Sequence, residues 1–402
     1  MSDLASLTAG VTTERARDLL VALAQVPSPL TALTEAEPLL RKFIDTAVEP
    51  RLRAMGITHI TRDGMGNLAA HAGPDGGPSL MFVAHAMNQP PATMPNPYGG
   101  EIRDGAPYDL PGQVVLGKGV SEQKASMASM MLAIETALSS GLALKGRVHF
   151  LCCTSGEIGR HDALASILDA AHARADMAVL AGTGNRLSLG NRGRVDVHVT
   201  VHGSACHSSR PQDGANAITG AMAVIARLTA DLPLSARHPQ LGAPSFAVNG
   251  LRSYPESTHT LQDRADITLD RRLMPGEDPD AAVAEIAAIA GQLDGALDPA
   301  SGRPWRVETR RGAFMYPSLV TPDAAVVQAV LSASRAVLGE APDLYYSSTA
   351  FDQGYLNHLG IQTCNYGPGE EQFAHTDLDM ASIDRTRDAG RVMAAMILRH
   401  IA

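Results

Sequence analysis

Four side chains that can bind a metal ion or move a proton occupy comparable places in the sequence: His85, Glu122, Glu157 and His375. Each follows an apolar run or stands where a loop enters a predicted helix, and the run 79–83, for example, leads into His85. Open α/β sheets carry their binding sites in such loops. Imidazole and carboxylate together suit zinc or manganese, ions that polarise a substrate atom and acidify a bound water. For either histidine taken singly, an ordinary hydrogen-bonded role is the simpler interpretation, and lone carboxylates are usually solvated.

The elements that would position these residues alternate between strands and helices. The run 144–154 turns almost wholly apolar, which is typical of a strand buried on both faces of a parallel sheet. Apolar residues at helical spacing predict a helix over 125–138. A longer helix is predicted over 34–55, with a kink at Pro50. The pattern predicts an α/β fold with a mostly parallel, doubly wound catalytic sheet.

The distribution of apolar residues along the chain changes near residue 190. Residues 195–201 alternate between apolar and polar types, as a half-buried strand does. Further predicted strands and helices follow at 215–228, 265–270, 281–293 and 305–309. Their order fits a small antiparallel sheet with helices on one face, an α+β (ferredoxin-like) arrangement. We therefore predict a catalytic metal-binding domain at 1–190 and 313–402, and an inserted lid or dimerisation domain at 191–312.

The composition favours small-molecule chemistry. The 33 basic and 42 acidic residues give a net charge of -9 without a block of like charge, which argues against a nucleic-acid or membrane partner. The first residues lack a basic leader, and no run reaches the roughly 18 apolar residues of a membrane span, so a cytoplasmic protein is expected. The four cysteines show no Cys-x-x-Cys spacing and are expected to be reduced core residues.

Five short motifs rich in glycine, histidine and acidic residues follow one another along the chain. They are His85-Ala86-Met87, Gly117-Lys118-Gly119 with Glu122 and Lys124, Gly156-Glu157-Ile158-Gly159, Gly203 with His207-Ser208 and Pro211 to Ala217, and Gly367-Pro368-Gly369 with His375. Over nearly its whole length the chain resembles the co-catalytic zinc metallopeptidase family that includes acetylornithine deacetylase, succinyl-diaminopimelate desuccinylase, glutamate carboxypeptidase and the aminoacylases. The resemblance implies a hydrolase that uses a divalent metal and forms a homodimer.

The chain departs from the family pattern where the chemistry occurs. Met87 replaces the aspartate that orients the first histidine, and Glu122 stands where an aspartate bridges two metals. Thr183 falls where the family supplies another carboxylate ligand. Sorting the remaining residues by position leaves one strong metal site made by Glu122, Glu157 and His375. His85 is then either an auxiliary ligand or a polar group that faces the substrate.

Gly156 occupies the place of the family's general base, so ordinary peptidase action is not expected. Glu157 or His161 could take over the proton transfer, although a surface position at a helix start is an alternative for His161. The resemblance makes His207 the residue that stabilises the oxyanion in the partner subunit's site. It makes Asn249 and Arg272 substrate-binding residues, since an arginine fork suits a carboxylate. The alternatives are a plain turn residue for Asn249 and an ordinary ion pair for Arg272.

The sequence therefore predicts a metal-dependent hydrolase of an amide-type C–N bond in a small, carboxylated molecule. One alternative is an aminohydrolase that removes the amino group of an activated aromatic amine such as a nitroanthranilate. The other alternative is a family member that binds a ligand without turnover.

Overall fold

The computed structural model describes residues 4–234 and 237–402. Residues 1–3 and 235–236, where the first predicted domain begins and part of the predicted insertion falls, lie outside the described residues. The chain forms two compact units. The first contains residues 4–190, Leu319–Tyr346 and Tyr355–Ala402, and the second contains Asn191–Ser318 and Ser347–Gly354. The second unit is longer than the predicted insertion at 191–312, because its last strand continues to Met315.

The strands and helices are as follows in chain order. The strands are β1 (His59–Arg62), β2 (Leu68–Ala72), β3 (Ser79–His85), β4 (Glu101–Asp104), β5 (Gln113–Leu116), β6 (Arg147–Cys153), β7 (Met177–Leu180), β8 (Leu187–Asn191), β9 (Gly193–His202), β10 (Ser245–Tyr254), β11 (Arg264–Leu273), β12 (Arg306–Met315), β13 (Ser318–Leu319), β14 (Leu344–Ser347), β15 (Gln362–Tyr366) and β16 (Met380–Ser382). The helices are α1 (Leu4–Leu7), α2 (Thr13–Ala24), α3 (Pro38–Phe43), α4 (Glu49–Ala54), α5 (Ala125–Leu138), α6 (Asp162–Ala170), α7 (Ala217–Asp231), α8 (Pro279–Ala290), α9 (Ala325–Leu338), α10 (Gln353–His358) and α11 (Ile383–His400).

The main sheet of the first unit is parallel at its centre and antiparallel towards its edges. Its strands follow the order β1-β2-β6-β3-β7-β15-β8-β13, and β14 pairs with β8. The four central strands β6, β3, β7 and β15 run parallel, whereas β2 joins β6 and β8 joins β15 in antiparallel fashion. The predicted α/β class is therefore confirmed, with a mixed rather than mostly parallel sheet.

The central strands are apolar because both of their faces are covered. Six of the seven residues of β6 are buried, and α5 is buried along nearly its whole length. The helix predicted over 125–138 is observed as α5. The single helix predicted over 34–55 is instead divided into α3 and α4 by a π-helical turn, Ile44–Val48. Pro50 stands in the first turn of α4, directly after the π-helical turn.

The second unit contains one antiparallel sheet in the order β10-β11-β9-β12, with α7 and α8 on one face. The alternation of apolar and polar residues along β9 explains this packing. Val195, Val197, Val199 and Val201 are buried against the helices, while the residues between them are only partly buried. The unit thus has the predicted helix-on-sheet architecture and its own hydrophobic core.

A small third sheet, which the sequence analysis did not predict, joins β16, β5 and β4 beside the main sheet. It brings residues near 380 next to the turn that follows β5, because Met380 pairs with Leu116. Among the described residues, no helix has the length and apolar character needed to cross a membrane.

The core of the second unit gives a direct stability prediction. Leu269 of β11 is fully buried, whereas Leu251 of β10 is 44% exposed. We expect Leu269→Ala to lower the free energy of unfolding by about 2–5 kcal/mol, because it leaves a cavity. Leu251→Ala should change it by less than about 0.5 kcal/mol. Trp305, the only tryptophan, is buried in this unit, so its fluorescence during urea unfolding measures both variants. Equal effects of the two substitutions would contradict the described core.

Candidate metal centre

His85 is the last residue of β3, at the carboxyl end of the parallel strands. Its backbone N–H donates to Gln123 Oε1 at 3.0 Å. Its Nδ1 lies 2.8 Å from the carbonyl oxygen of Met87. Because a carbonyl only accepts hydrogen bonds, Nδ1 carries a proton, and in the neutral ring Nε2 is the nitrogen free to bind a metal or accept a proton. The Met87 backbone therefore orients the ring in place of the expected aspartate.

Glu122 is presented by a tight turn that follows β5. Gly119 has a φ of 83°, and a Cβ there would lie 2.8 Å from the Cβ of Asn88, so the turn requires glycine. The carboxylate of Asp379 accepts hydrogen bonds from the N–H groups of Gly119, at 2.7 Å, and Ser121, at 2.9 Å. Asp379 thereby fixes the π-helical turn that carries Glu122.

Asp379 was not identified from the sequence. It reaches the Gly119 and Ser121 N–H groups because β16, which begins at the next residue, pairs with β5. It is 1% exposed, and this burial raises its pKa although the Ser121 and Gly119 groups act in the opposite direction. The only signal in the sequence was an acid four residues after His375. The fold alone shows which loop it supports.

Glu157 lies in the loop after β6, close to the end of β3. Its carboxylate Oε2 accepts a hydrogen bond from Gln89 Nε2 at 2.9 Å. Its other oxygen, Oε1, lies 3.6 Å from His85 Nε2. The side chain of Glu157 is 11% exposed. Gln89, which the sequence analysis also missed, therefore holds one oxygen of a buried carboxylate in place.

His375 completes the group and lies in the loop that follows β15. Its Nε2 lies 2.7 Å from Glu122 Oε1 and 3.5 Å from Glu157 Oε2. The residue has a φ of 64°, an uncommon value outside glycine, so the loop holds it in a specific conformation. Lys118 supports the same loop, since its Nζ donates to the carbonyl of Thr376 at 3.0 Å.

The charges of the three residues depend on one another. Burial raises the pKa of Glu122, and the neighbouring carboxylate of Glu157 adds to this effect. Burial acts in the same direction on Glu157, but the hydrogen bond with His375 and the other nearby partners outweigh it and lower its pKa. Hydrogen bonds with Glu122 and then Glu157 raise the pKa of His375 to about 10. At neutral pH, without metal, the imidazolium therefore provides the positive charge between two carboxylates.

These residues fit a divalent metal ion. The ligand atoms of Glu122, Glu157 and His375 all lie within 4.8 Å of one another. Two carboxylates and one imidazole form a donor set typical of zinc or manganese. A bound cation would take the place of the His375 proton as the compensating charge. His85 lies beside this group, with its Nε2 directed at Glu157.

Gly156 and His85 occupy the same space. A Cβ added to Gly156 would lie 2.0 Å from Cδ2 and 2.3 Å from Nε2 of the His85 ring. Any side chain at position 156 is therefore incompatible with the observed position of the imidazole. The sequence analysis treated the missing carboxylate and the first histidine as separate features, but the structure links them.

Two other positions singled out in the sequence have contacts of their own in this unit. Thr183 pairs with Gly369 in an isolated parallel bridge, and its side chain hydrogen-bonds Tyr345. His161 is 6% exposed and stacks on Tyr355 with ring centroids 4.9 Å apart. The alternative of a surface position for His161 is wrong, because the residue is buried although it is the N-cap of α6.

The three remaining predicted residues belong to the second unit. His207 is exposed, and its Nδ1 lies 2.8 Å from Ser209 Oγ. Asn249 stands at an irregularity of β10, where the register shifts between Val248 and Gly250. Arg272 Nε lies 2.9 Å from Asp270 Oδ1, so its guanidinium is engaged in an ion pair. Their roles in substrate binding remain predictions.

The comparisons with known proteins agree with this architecture. A model of the M20 peptidase dimerisation domain matches residues 189–297. The YgeY protein of Escherichia coli K12 is 25% identical over 379 residues and covers 90% of each chain. Succinyl-diaminopimelate desuccinylase of Cupriavidus taiwanensis is 24% identical over 374 residues, or 85% of this chain and 91% of that protein.

The solved structures extend the match to the fold. An M20 family metallo-carboxypeptidase, Sso-CP2 of Sulfolobus solfataricus, superposes with a TM-score of 0.74 at 17% identity, covering 94% of this chain and 97% of that one. The dimerisation-domain match, the full-length relatives and this shared fold make the chain similar to M20 metallopeptidases and to succinyl-diaminopimelate desuccinylases.

Proposed function

We propose that the protein is a metal-dependent hydrolase that cleaves an amide-type C–N bond in a small, carboxylated molecule. The observation that carries this proposal is the group formed by Glu122, Glu157 and His375, whose ligand atoms converge within 4.8 Å. Relatives named as desuccinylases and carboxypeptidases support hydrolysis of an amide or peptide bond. The proposed cofactor is one strongly bound divalent transition metal, zinc or manganese.

Some residues of the site would bind the metal ion, and others would transfer a proton. Glu122, Glu157 and His375 would hold the ion, which when bound polarises a carbonyl and acidifies a water. Gln89 keeps Glu157 oriented through one oxygen. His85 Nε2 faces the same carboxylate at 3.6 Å, so it serves as an auxiliary ligand or accepts a hydrogen bond from a molecule bound there. With glycine at position 156, Glu157 and His85 are the groups available to move a proton.

The second unit would supply substrate recognition. Its match to a dimerisation domain supports a homodimer, in which His207 would stabilise the oxyanion in the site of the other subunit. Arg272 and Asn249 would bind the substrate carboxylate, with Arg272 exchanging its Asp270 partner for the ligand. A monomeric mass by light scattering would contradict the homodimer.

Two alternatives differ in their products. An aminohydrolase acting on an activated aromatic amine would release ammonia, whereas an amide hydrolase releases a carboxylic acid and an amine. A non-catalytic member would bind such compounds unchanged. A screen of metal-loaded protein against N-acyl amino acids and aromatic amines, with ammonia and acid measured separately, distinguishes the three.

Metal removal and replacement test the proposed ligands. We expect chelated protein to lose hydrolytic activity and to regain it with about one equivalent of zinc or manganese, as three protein ligands and a water imply. His375→Ala and Glu157→Gln should abolish tight metal binding, while Gln89→Ala should weaken it by about 10- to 100-fold. Elemental analysis and equilibrium dialysis measure both.

Glu371→Gln provides the matched control, because Glu371 lies on the same loop but pairs with Arg186. It should bind metal as the unchanged protein does. Absence of metal under every loading condition would favour a ligand-binding protein. Two ions at full occupancy would show that the assignment of ligands to a single position is wrong.

The overlap between Gly156 and His85 can be tested by a double-mutant cycle. Gly156→Ala should displace the His85 ring and lower the free energy of unfolding by about 1–3 kcal/mol, the usual cost of overpacking. In a His85→Ala background the same change should cost little, because the ring is absent. Urea unfolding followed by far-UV circular dichroism measures the coupling. Additive effects would mean that the two residues do not compete for this space.

A further inference from the structure

The sheet of the second unit has one face that its own helices leave uncovered. α7 and α8 pack against the face formed by the buried valines of β9 and the apolar residues of β11. The opposite face is formed by alternate polar residues that include Asp196, His198 and Thr200 of β9. This open face therefore consists of charged and hydrogen-bonding side chains on four adjacent strands.

The acids of the open face already have basic partners. Asp266 accepts hydrogen bonds from Arg264 at 3.0 and 2.7 Å and from the Thr200 hydroxyl at 2.9 Å. Glu308 pairs with Arg306 and lies 3.7 Å from His202. The remaining two acids, in the same way, are bound by two arginines: Asp196 by Arg194, and Asp270 by Arg194 and Arg272.

Two arginines of this face have no such partner. Within the described part of the chain, Arg252 of β10 and Arg310 of β12 form neither an ion pair nor a side-chain hydrogen bond. Both line a cavity of about 350 Å³, together with His198, Asn249 and Thr268. Among the described residues that line the cavity, Asp266 is the one acid, and Arg264 already neutralises it. The cavity thus has two guanidinium groups without a counter-charge.

Backbone register explains why a cavity forms here. Gly250, Thr268, His198 and Arg310 lie directly opposite one another across the four strands. Gly250 contributes no side chain to this row, and a Cβ there would lie no closer than 3.6 Å to Thr268. The register shift before Gly250 places Asn249 at the rim. Glycine thus leaves a depression between larger polar neighbours.

The groups that line the cavity are mainly hydrogen-bond donors. The Arg252 and Arg310 guanidinium groups only donate, and the Asn249 amide and the Thr268 hydroxyl can donate as well. Burial and then the positive charge of Arg310 lower the pKa of His198, against the smaller opposite effects of Asp196 and Asp266. An anion would satisfy the donors and compensate the charge.

We propose that this cavity is a binding site for a small oxyanion, a carboxylate or a phosphate, held by Arg252 and Arg310 and oriented by Asn249 and Thr268. The volume suits a molecule about the size of a short dicarboxylate. The site shares no residue with the group of Glu122, Glu157 and His375. Asn249 is the one residue it has in common with the proposed substrate-binding pair, and anion binding here can be measured without hydrolysis.

Calorimetric titration of the full chain with succinate, and separately with inorganic phosphate, tests the site. The protein carries Glu157→Gln and is free of metal, so that the metal centre contributes no anion binding. We expect saturable binding of at least one anion at one site per chain. Arg310→Gln and Arg252→Gln should each weaken it by about tenfold or more, through loss of a charge-assisted hydrogen bond.

Arg306→Gln is the matched control, because Arg306 lies on the same strand and face but pairs with Glu308. It should bind the anion as tightly as the parent protein. Arg310→Lys, which keeps the charge, should bind more tightly than Arg310→Gln. The absence of saturable binding, or equal losses in the Arg306 and Arg310 variants, would overturn the proposal. So would a change in oligomeric mass by light scattering in both arginine variants, which would identify the face as an interface between copies.

Discussion

Two partly buried carboxylates that share one imidazole set the main constraint on this molecule. Glu122 and Glu157 both lie within 3.5 Å of the same nitrogen of His375. Two like charges at such a distance are unfavourable in a weakly solvated site unless a cation lies between them. The high pKa of His375 shows that a proton can provide this charge, and a divalent ion would do so more strongly. The arrangement is therefore better suited to binding metal than to stabilising the fold.

Different strands and loops of the fold position the individual ligands. The parallel strands β3 and β6 end side by side, since His85 pairs with Cys153. His85 is the last residue of β3, and Glu157 lies in the loop after β6. Glu122 depends on a glycine turn whose N–H groups are bound by Asp379. His375 depends on a loop with an uncommon backbone conformation. Each ligand thus has its own support, as a preorganised site requires.

Much of this arrangement could be predicted from the sequence. The helix at 125–138 and the buried strands were predictable because their apolar residues follow a clear period. His85, Glu122, Glu157 and His375 were identified as candidates because they follow such elements. The inserted unit was predictable because the alternation in β9 differs from the continuous apolar runs before it.

The remaining features depend on contacts that leave little mark in the sequence. The ring of His85 is oriented by a carbonyl group, which every residue has, so Met87 gave no signal. Asp379 and Gln89 act through pairings formed only when distant segments meet. The close approach of the His85 ring to Gly156 likewise depends on contact between the end of β3 and the loop after β6. The antiparallel edges of the main sheet could not be predicted, because short edge strands lack a distinctive pattern.

The central claim is that this centre holds one metal ion between Glu122, Glu157 and His375. X-ray absorption spectroscopy of the zinc-loaded protein tests it most directly. We predict a single ion with nitrogen and oxygen ligands at about 2.0–2.2 Å and no second metal nearby. A metal–metal distance of about 3.5–4 Å would show a two-metal centre and would contradict a single-ion site.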